Sequence, residues 1–291
     1  MSRSDASARP VIEAILHRAA DEVGSTLAGA LADEPDGVHQ HRVRVRRLRS
    51  VLGGFRDALD THAAERLRVA FGEWGRELGV VRDIEVRATV AAETLERAGI
   101  DDPRVLRRLV ESEREAYGAA HARLVELAGS PRAVERMRML SGVAASGVAG
   151  DPDASAGELV AAVLRTQVRR VSRVEASLDD TDERYHDLRK AARRARYVAE
   201  AVADAAPGLF STQVEAIADA GDELHDALGA HRDAMLLAHR ARHEGVRAGR
   251  AGEPSDAYEA VASLARQDAA QHLTEVPTAL KRLRAAASDL P

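Results

Sequence analysis

Apolar residues recur along almost the whole chain at the three- and four-residue spacing of an amphipathic helix. No segment of the sequence alternates between apolar and polar residues as a half-buried strand would. Proline and glycine mark the ends of the periodic segments. The pattern therefore predicts an all-α protein with helices at 8–33, 36–59, 62–98, 103–128, 155–178, 183–205, 210–246 and 255–287, and a short extra helix at 131–141.

One stretch of small residues, SGVAASGVAGDPDASAG at 141–157, lacks this periodicity and is predicted to be a linker. It separates a first half, 1–150, from a second half, 151–291. Each half contains four of the main predicted helices, so we expect each half to form a four-helix unit.

Two motifs recur in the same order in the two halves. VHQHRVRVRRLRSV (38–51) aligns without a gap with YHDLRKAARRARYV (185–198), which lies 147 residues later. LGVVRD (78–83) aligns with LGAHRD (228–233), which lies 150 residues later. Because two matches at nearly the same offset are not expected by chance, we interpret the halves as two copies of one unit.

The first motif concentrates positive charge on one side of a helix. Four of its residues fall within a quarter-turn of the helical wheel, and we call them the first basic stripe: His39, Arg42, Arg46 and Arg49. The matching residues form the second basic stripe: His186, Arg189, Arg193 and Arg196. Apolar residues occupy the opposite side of both helices, so the backs of these helices are predicted to pack in a core.

Like charges four residues apart, such as Arg42 and Arg46, destabilise an isolated helix. Carboxylates of neighbouring helices could offset this repulsion, and so could an anion that is not part of the protein. The recurrence of the stripes at matched positions favours the anion, although a solvated face with internal ion pairs stays an alternative. Arg47 and Arg194 lie beside the stripes and could pair with internal carboxylates instead of binding a ligand.

The overall composition narrows the class of anion. The net charge is −5 and aromatic residues make up 3% of the chain, whereas nucleic-acid-binding domains are typically basic and single-strand binders supply aromatic platforms. A nucleic-acid surface is therefore the less favoured alternative. Ten residues of helix rise by about 15 Å, so each stripe suits an extended polyanion better than a single phosphate.

The cysteine content and the hydropathy of the chain bear on the cellular compartment of the protein. The chain has no cysteine, which excludes disulfides and thiolate metal sites. No apolar run approaches the roughly 20 residues of a membrane span, and the first residues lack the apolar stretch of a signal peptide. We expect a cytoplasmic protein that does not enter a membrane.

These motifs resemble those of the CHAD domain, the conserved histidine α-helical domain. The resemblance rests on the two basic motifs and the two Leu-Gly-x-x-Arg-Asp motifs, and it extends from about residue 10 to residue 287. It implies two four-helix bundles related by approximate two-fold symmetry, with a basic groove or central pore. Members of this family are known for binding long-chain inorganic polyphosphate, and some associate with polyphosphate granules.

The resemblance also implies which residues contact polyphosphate. The implied set is His39, Arg42, Arg46, Arg47, Arg49, Arg82, His186, Arg189, Lys190, Arg193, Arg194, Arg196 and Arg232. A histidine beside phosphate is favoured in its charged form, so binding is expected to strengthen as the pH falls from 7 towards 6.

The remaining candidate residues indicate no catalysis. His225, His231, Asp226 and Asp233 match no known zinc spacing, and His41 points away from the first stripe. Asp83 and Asp233 are predicted to pair with stripe arginines. No nucleophile with a neighbouring base and no glycine-rich phosphate loop is recognisable. We expect a non-enzymatic binding module without a metal or cofactor; a phosphatase and a purely structural helical scaffold are the alternatives.

Overall fold

The computed structural model describes residues 6–146, 148–149, 154–179 and 181–291. The first half of the chain forms α1 (Ala8–Leu31), α2 (Gly37–Gly54), α3 (Thr61–Arg97), α4 (Pro103–Leu106), α5 (Ser112–Ala128) and α6 (Pro131–Ser146). The second half forms α7 (Ala156–Glu175), α8 (Asp182–Ala205), α9 (Ser211–Arg250), α10 (Asp256–Leu273) and α11 (Val276–Ser288). The predicted all-α class is confirmed.

Helix α2 ends earlier than the predicted 36–59. It stops at Gly54, and a short 3-10 turn, Arg56–Ala58, follows. A Cβ atom on Gly54 would lie 2.8 Å from Cγ2 of Val198 in α8, so only glycine allows this close approach of the two helices. The glycine pair at the end of α2 therefore marks the place where it packs against α8.

Two other predicted boundaries are wrong. The helix predicted at 255–287 is broken into α10 and α11, with Pro277 in the first turn of α11. Proline lacks the N–H group that a helix interior needs, so it begins a new helix instead of continuing the old one. The helix predicted at 103–128 is interrupted by a π-helical turn, Arg107–Glu111, between α4 and α5.

The linker predicted at 141–157 is shorter in the structure. Its first residues belong to α6, which extends to Ser146, and its last residues begin α7. Residues 147 and 150–153 lie outside the described ranges. The residues on either side are held by isolated antiparallel bridges, Val148 to Leu59 and Ser155 to Ser7. The predicted extra helix at 131–141 is confirmed and is five residues longer at its end.

The main hydrophobic core contains residues from both halves of the chain. The apolar back of α2 lies in it, with Val45 and Val51 fully buried, and so does that of α8, with Leu188 and Val198. A second, smaller core joins the end of α3 to the residues around Leu109, to α9 and to α10. Since their backs are anchored in one core, α2 and α8 hold their basic faces in fixed positions.

His41, which the sequence left without a role, anchors α2 to its neighbours. Its ring is 1% exposed, and its Nε2 atom accepts a hydrogen bond of 2.9 Å from the Trp74 indole of α3. The indole can only donate, so Nδ1 carries the proton and donates to the Thr26 hydroxyl of α1 at 2.9 Å. Burial lowers the pKa of His41 to about 4. The neutral ring therefore joins α1, α2 and α3.

Candidate functional site

Two cavities lie along the basic faces of α2 and α8. Cavity 1, of about 1200 Å³, is bounded by α2, α3, α8, α9 and α10. Cavity 2, of about 580 Å³, is bounded by α2, α3, α7 and α8. Arg46 lines both cavities, so they meet at this residue of the first basic stripe.

Most of the predicted binding residues line these cavities. Those in cavity 1 are His39, Arg42, Arg46, Arg82, Arg189 and Arg232. Those in cavity 2 are Arg46, Arg49, Lys190, Arg193 and Arg194. Both stripes thus run in the same direction, from cavity 1 at the N-terminal end of each helix to cavity 2 further along. His186 lies beside cavity 1, in a pocket of about 140 Å³ that it shares with Arg189 and Arg232.

Arg47 and Arg196 lie outside both cavities. The Arg47 side chain is 5% exposed and binds Glu22 of α1 at 3.3 Å and Asp204 of α8. Arg196 binds Glu200 at 2.5 Å and also Asp222. Both arginines are therefore neutralised by the protein itself. For Arg47 this agrees with the alternative role in an internal pair, whereas Arg194 lines cavity 2 and donates to the Gly53 carbonyl.

The Leu-Gly-x-x-Arg-Asp motifs lie against two stripe arginines of cavity 1. A Cβ atom on Gly79 would lie 3.1 Å from Nη2 of Arg42, and one on Gly229 would lie 3.0 Å from Nη2 of Arg189. Each glycine thus leaves room for one guanidinium group. Asp83 pairs with Arg42 at 3.2 Å, which confirms the predicted role of this carboxylate. Asp233 lies close enough for the charge of Arg189 to lower its pKa, although burial raises that pKa more.

The stripe arginines form a crowded group of like charges. Burial, together with the nearby charges of Arg189, Arg42 and Arg49, lowers the pKa of Arg193 to about 10. Burial likewise lowers the pKa of Arg49, and no carboxylate opposes that effect. The Nε atoms of Arg42, Arg49 and Arg189 are buried without a hydrogen-bond partner among the described residues. Such groups are costly to bury without a compensating anion.

The two predicted histidines share this electrostatic environment. Burial lowers the pKa of His39, and the Arg82 and Arg42 charges act in the same direction, against Asp36 and Glu85. Burial also lowers the pKa of His186, together with Lys190 and Arg232. Burial and the neighbouring cations thus bias both rings towards the neutral form, and a bound anion would neutralise those cations.

Several basic residues of the cavities are absent from the repeated motifs, so the sequence reasoning missed them. Arg87 and Arg240 line cavity 1, and both bind the buried Glu113. Arg56, Arg68 and Arg170 line cavity 2. Arginine is common throughout this chain, so no sequence signal separated these five from the rest.

The donor set that comes nearest to a metal site among the described residues is Asp222, His225 and Asp226 of α9. Their ligand atoms lie within 4.8 Å of one another. His231 and Asp233, the other residues weighed from the sequence, are not part of it; His231 bonds to the Ala269 carbonyl at 2.9 Å instead. Arg196 already neutralises Asp222, so this cluster is part of an ion-pair network.

A search of the described ranges finds no helix with the length and apolar character needed to cross a membrane.

The geometry defines an all-α protein with two rows of half-buried arginine, and comparison with known proteins identifies the class. The model of the CHAD domain family matches residues 14–242, so the chain belongs to the CHAD domain family. The fold is similar to the crystal structure of the CHAD domain from the plant Ricinus communis, with a TM-score of 0.68 and 23% identity over 99% of this chain and 94% of that one. It is also similar to PptA from Streptomyces chartreusis, with a TM-score of 0.68 and 20% identity over 98% of this chain and 100% of that one.

Sequence relatives occur in Mycobacterium tuberculosis. Two uncharacterized proteins, from strains CDC 1551 / Oshkosh and ATCC 25618 / H37Rv, are each 26% identical to this chain over 256 residues. The match covers 84% of this chain and 48% of each relative. The chain therefore spans about half the length of the curated relatives it matches.

Proposed function

We propose that this protein binds long-chain inorganic polyphosphate without acting on it chemically. The observation that carries the proposal is the group of stripe arginines from α2 and α8, which lie side by side with few carboxylates between them. Arg49 and Arg193 have no carboxylate among the groups that shift their pKa values. Guanidinium groups bind phosphate oxygens in pairs of charge-assisted hydrogen bonds, so a phosphate chain would supply the missing compensation.

The arrangement of the cavities favours a linear polyanion over a single phosphate. The first stripe lines both cavities over about 15 Å of helix, from His39 to Arg49, and Arg189 and Arg193 of the second stripe line the same two cavities. A chain of phosphates presents a charge at regular intervals and can follow such a row. The CHAD family is associated with polyphosphate binding, which supports this choice of polyanion. We further propose that the protein acts in the cytoplasm, at polyphosphate granules.

The test is direct binding of long-chain polyphosphate, with duplex DNA as a competitor at the same salt concentration. Salt weakens the binding of both polyanions, so only competition at fixed salt distinguishes them. We expect tight binding that an equal concentration of DNA phosphate does not displace. Equal displacement by DNA would show that the protein binds nucleic acid instead. Metal-dependent release of phosphate from polyphosphate would show that it is a phosphatase.

We expect affinity for polyphosphate to rise as the pH falls below 7. In the free protein, burial and neighbouring cations hold the pKa values of His39 and His186 below 6.5. A bound anion raises these pKa values, so binding takes up protons and strengthens until the pH reaches the free-state pKa values. The rise is at most tenfold per histidine for each unit of difference between the two pKa values.

The matched variant for this experiment is His39→Gln/His186→Gln, whose pH profile is expected to be flat between 7 and 6. Internal phosphates of a long chain stay ionised in this range, so they add no slope. His225 also lines cavity 1, but burial lowers its pKa to about 4, below the range tested. A slope that persists in the double variant would show that His39 and His186 are not its source.

A further inference from the structure

The two cavities differ in their balance of charge. Cavity 1 is lined by eight arginines and six carboxylates, and several of these oppose each other directly, such as Arg42 and Asp83. Cavity 2 is lined by eight basic and only two acidic side chains, although it has about half the volume. The positive potential is therefore concentrated in cavity 2.

The two carboxylates of cavity 2 are already paired. Asp187 binds Lys190 at 2.6 Å, and Glu65 binds Arg68 at 2.6 Å. The other six basic residues make no ion pair with a carboxylate among the described residues: Arg46, Arg49, Arg56, Arg170, Arg193 and Arg194. Arg170 and Arg68 lower the pKa of Arg194, and Arg68 lowers that of Arg49. The arginines thus repel one another across the cavity.

Three of the eight basic residues of cavity 2 come from elements that the repeated motif does not include. Arg56 lies in the turn after α2, Arg68 in α3 and Arg170 in α7. The positions 147 to 150 residues away from each of these three arginines hold no basic residue. The repeat therefore does not predict a second cavity of this kind. Cavity 2 lies at the end of the stripes that is further from their histidines.

We propose that cavity 2 is a subsite for a short linear oligophosphate, occupied by a triphosphate-length chain alone as well as by one stretch of a long chain. Cavity 1, with its mixed charges, binds only the continuation of a chain that is already held in cavity 2. This inference rests on the proposed function and names the part of the site that determines affinity. A compact cavity with uncompensated arginines gives a short polyanion several bidentate contacts at once.

The experiment compares tripolyphosphate with long-chain polyphosphate by titration calorimetry at about 150 mM salt. The cavity 2 variant is Arg56→Gln/Arg170→Gln, two exposed residues whose replacement leaves the core untouched. The matched control is Arg169→Gln/Arg173→Gln, exposed residues of α7 that line neither cavity. The cavity 1 variant is Arg42→Gln/Arg189→Gln.

We expect the cavity 2 variant to weaken both ligands by at least about tenfold, since it removes two charged contacts of exposed side chains. The cavity 1 variant should weaken the long chain by at least about tenfold but tripolyphosphate by less than about threefold. The control should change neither by more than about twofold. A second variant, Glu65→Gln, frees Arg68 and should tighten tripolyphosphate binding by about threefold, which misfolding cannot imitate.

The outcomes separate the inference from the proposed function. Long-chain binding without measurable tripolyphosphate binding would overturn the inference and leave the function standing. So would tripolyphosphate binding that depends on Arg42 and Arg189 as strongly as on Arg56 and Arg170. Loss of binding to the long chain itself, in the wild-type protein, would overturn the proposed function and the inference with it.

Discussion

Replacing Arg42, Arg46, Arg189 and Arg193 together with glutamine should weaken long-chain polyphosphate binding by at least about a thousandfold at 150 mM salt. These four residues line the cavities from both α2 and α8. Each charge-assisted contact contributes about 1.5–3 kcal/mol, so four losses exceed three orders of magnitude even with partial compensation. The slope of log affinity against log salt should fall by about three, since each lost phosphate contact removes about 0.7.

One replacement of this variant, made alone, also tests the alternative that the stripes are structural. Arg193 is repelled by its neighbours and has no opposing carboxylate, unlike Arg42, so Arg193→Gln should keep or raise the Tm. A structural scaffold predicts the reverse, a lower Tm with no defined ligand. The control for the fourfold variant removes four exposed arginines that pair within their own helices: Arg9, Arg107, Arg123 and Arg138. It has the same net charge, so a comparable loss of binding there would point to non-specific attraction.

Replacing Arg47 with alanine should destabilise the protein by about 3 kcal/mol without weakening binding by the folded protein. Its buried guanidinium connects Glu22 of α1 to Asp204 of α8 and so joins the two halves of the chain. Removing it takes from both carboxylates their one buried partner, because Arg18 and Arg44, which also pair with them, are 52% and 32% exposed. Chemical denaturation gives the stability, and calorimetry on the folded variant gives the affinity.

Arg44 provides the control for this variant. It pairs with the same Glu22 at 3.6 Å, but its side chain is 32% exposed, so Arg44→Ala should cost less than about 1 kcal/mol. A stable Arg47→Ala protein with reduced affinity would show that Arg47 is a ligand residue, as the motif implies. Equal losses of stability in Arg47→Ala and Arg44→Ala would mean that the burial of Arg47 adds nothing to the stability of the protein.

The local pattern of the sequence was sufficient to predict the helices and the two basic stripes. The spacing of Val45 and Leu48 against Arg42 and Arg46 assigns one face of α2 to the core and the other to the cavities, because a helix has a fixed period. The structure confirms this division for both α2 and α8. The two-fold relation between the halves and the individual binding roles stay predictions.

The sequence predicted the helix ends less accurately where a tertiary contact ends the helix. Gly54 ends α2 at the contact with Val198, a residue far along the chain. Pro277 was visible in the sequence, but the periodic pattern continues across it, and only the structure shows that α10 and α11 are separate. Local periodicity shows which face of a helix is apolar, but it does not show which residues that face packs against.

The sequence by itself determined that this protein is all-α, belongs by its motifs to the CHAD class and carries two rows of arginine and histidine. Only the tertiary structure decided which arginines are neutralised by carboxylates of the protein. Arg46 and Arg47 are neighbours in the same motif, yet Arg46 lies between the cavities and Arg47 is buried against Glu22 and Asp204. The physical reason is that the energy of a charge depends on the groups around it, and α1, α3, α7 and α8 supply those groups from distant parts of the chain.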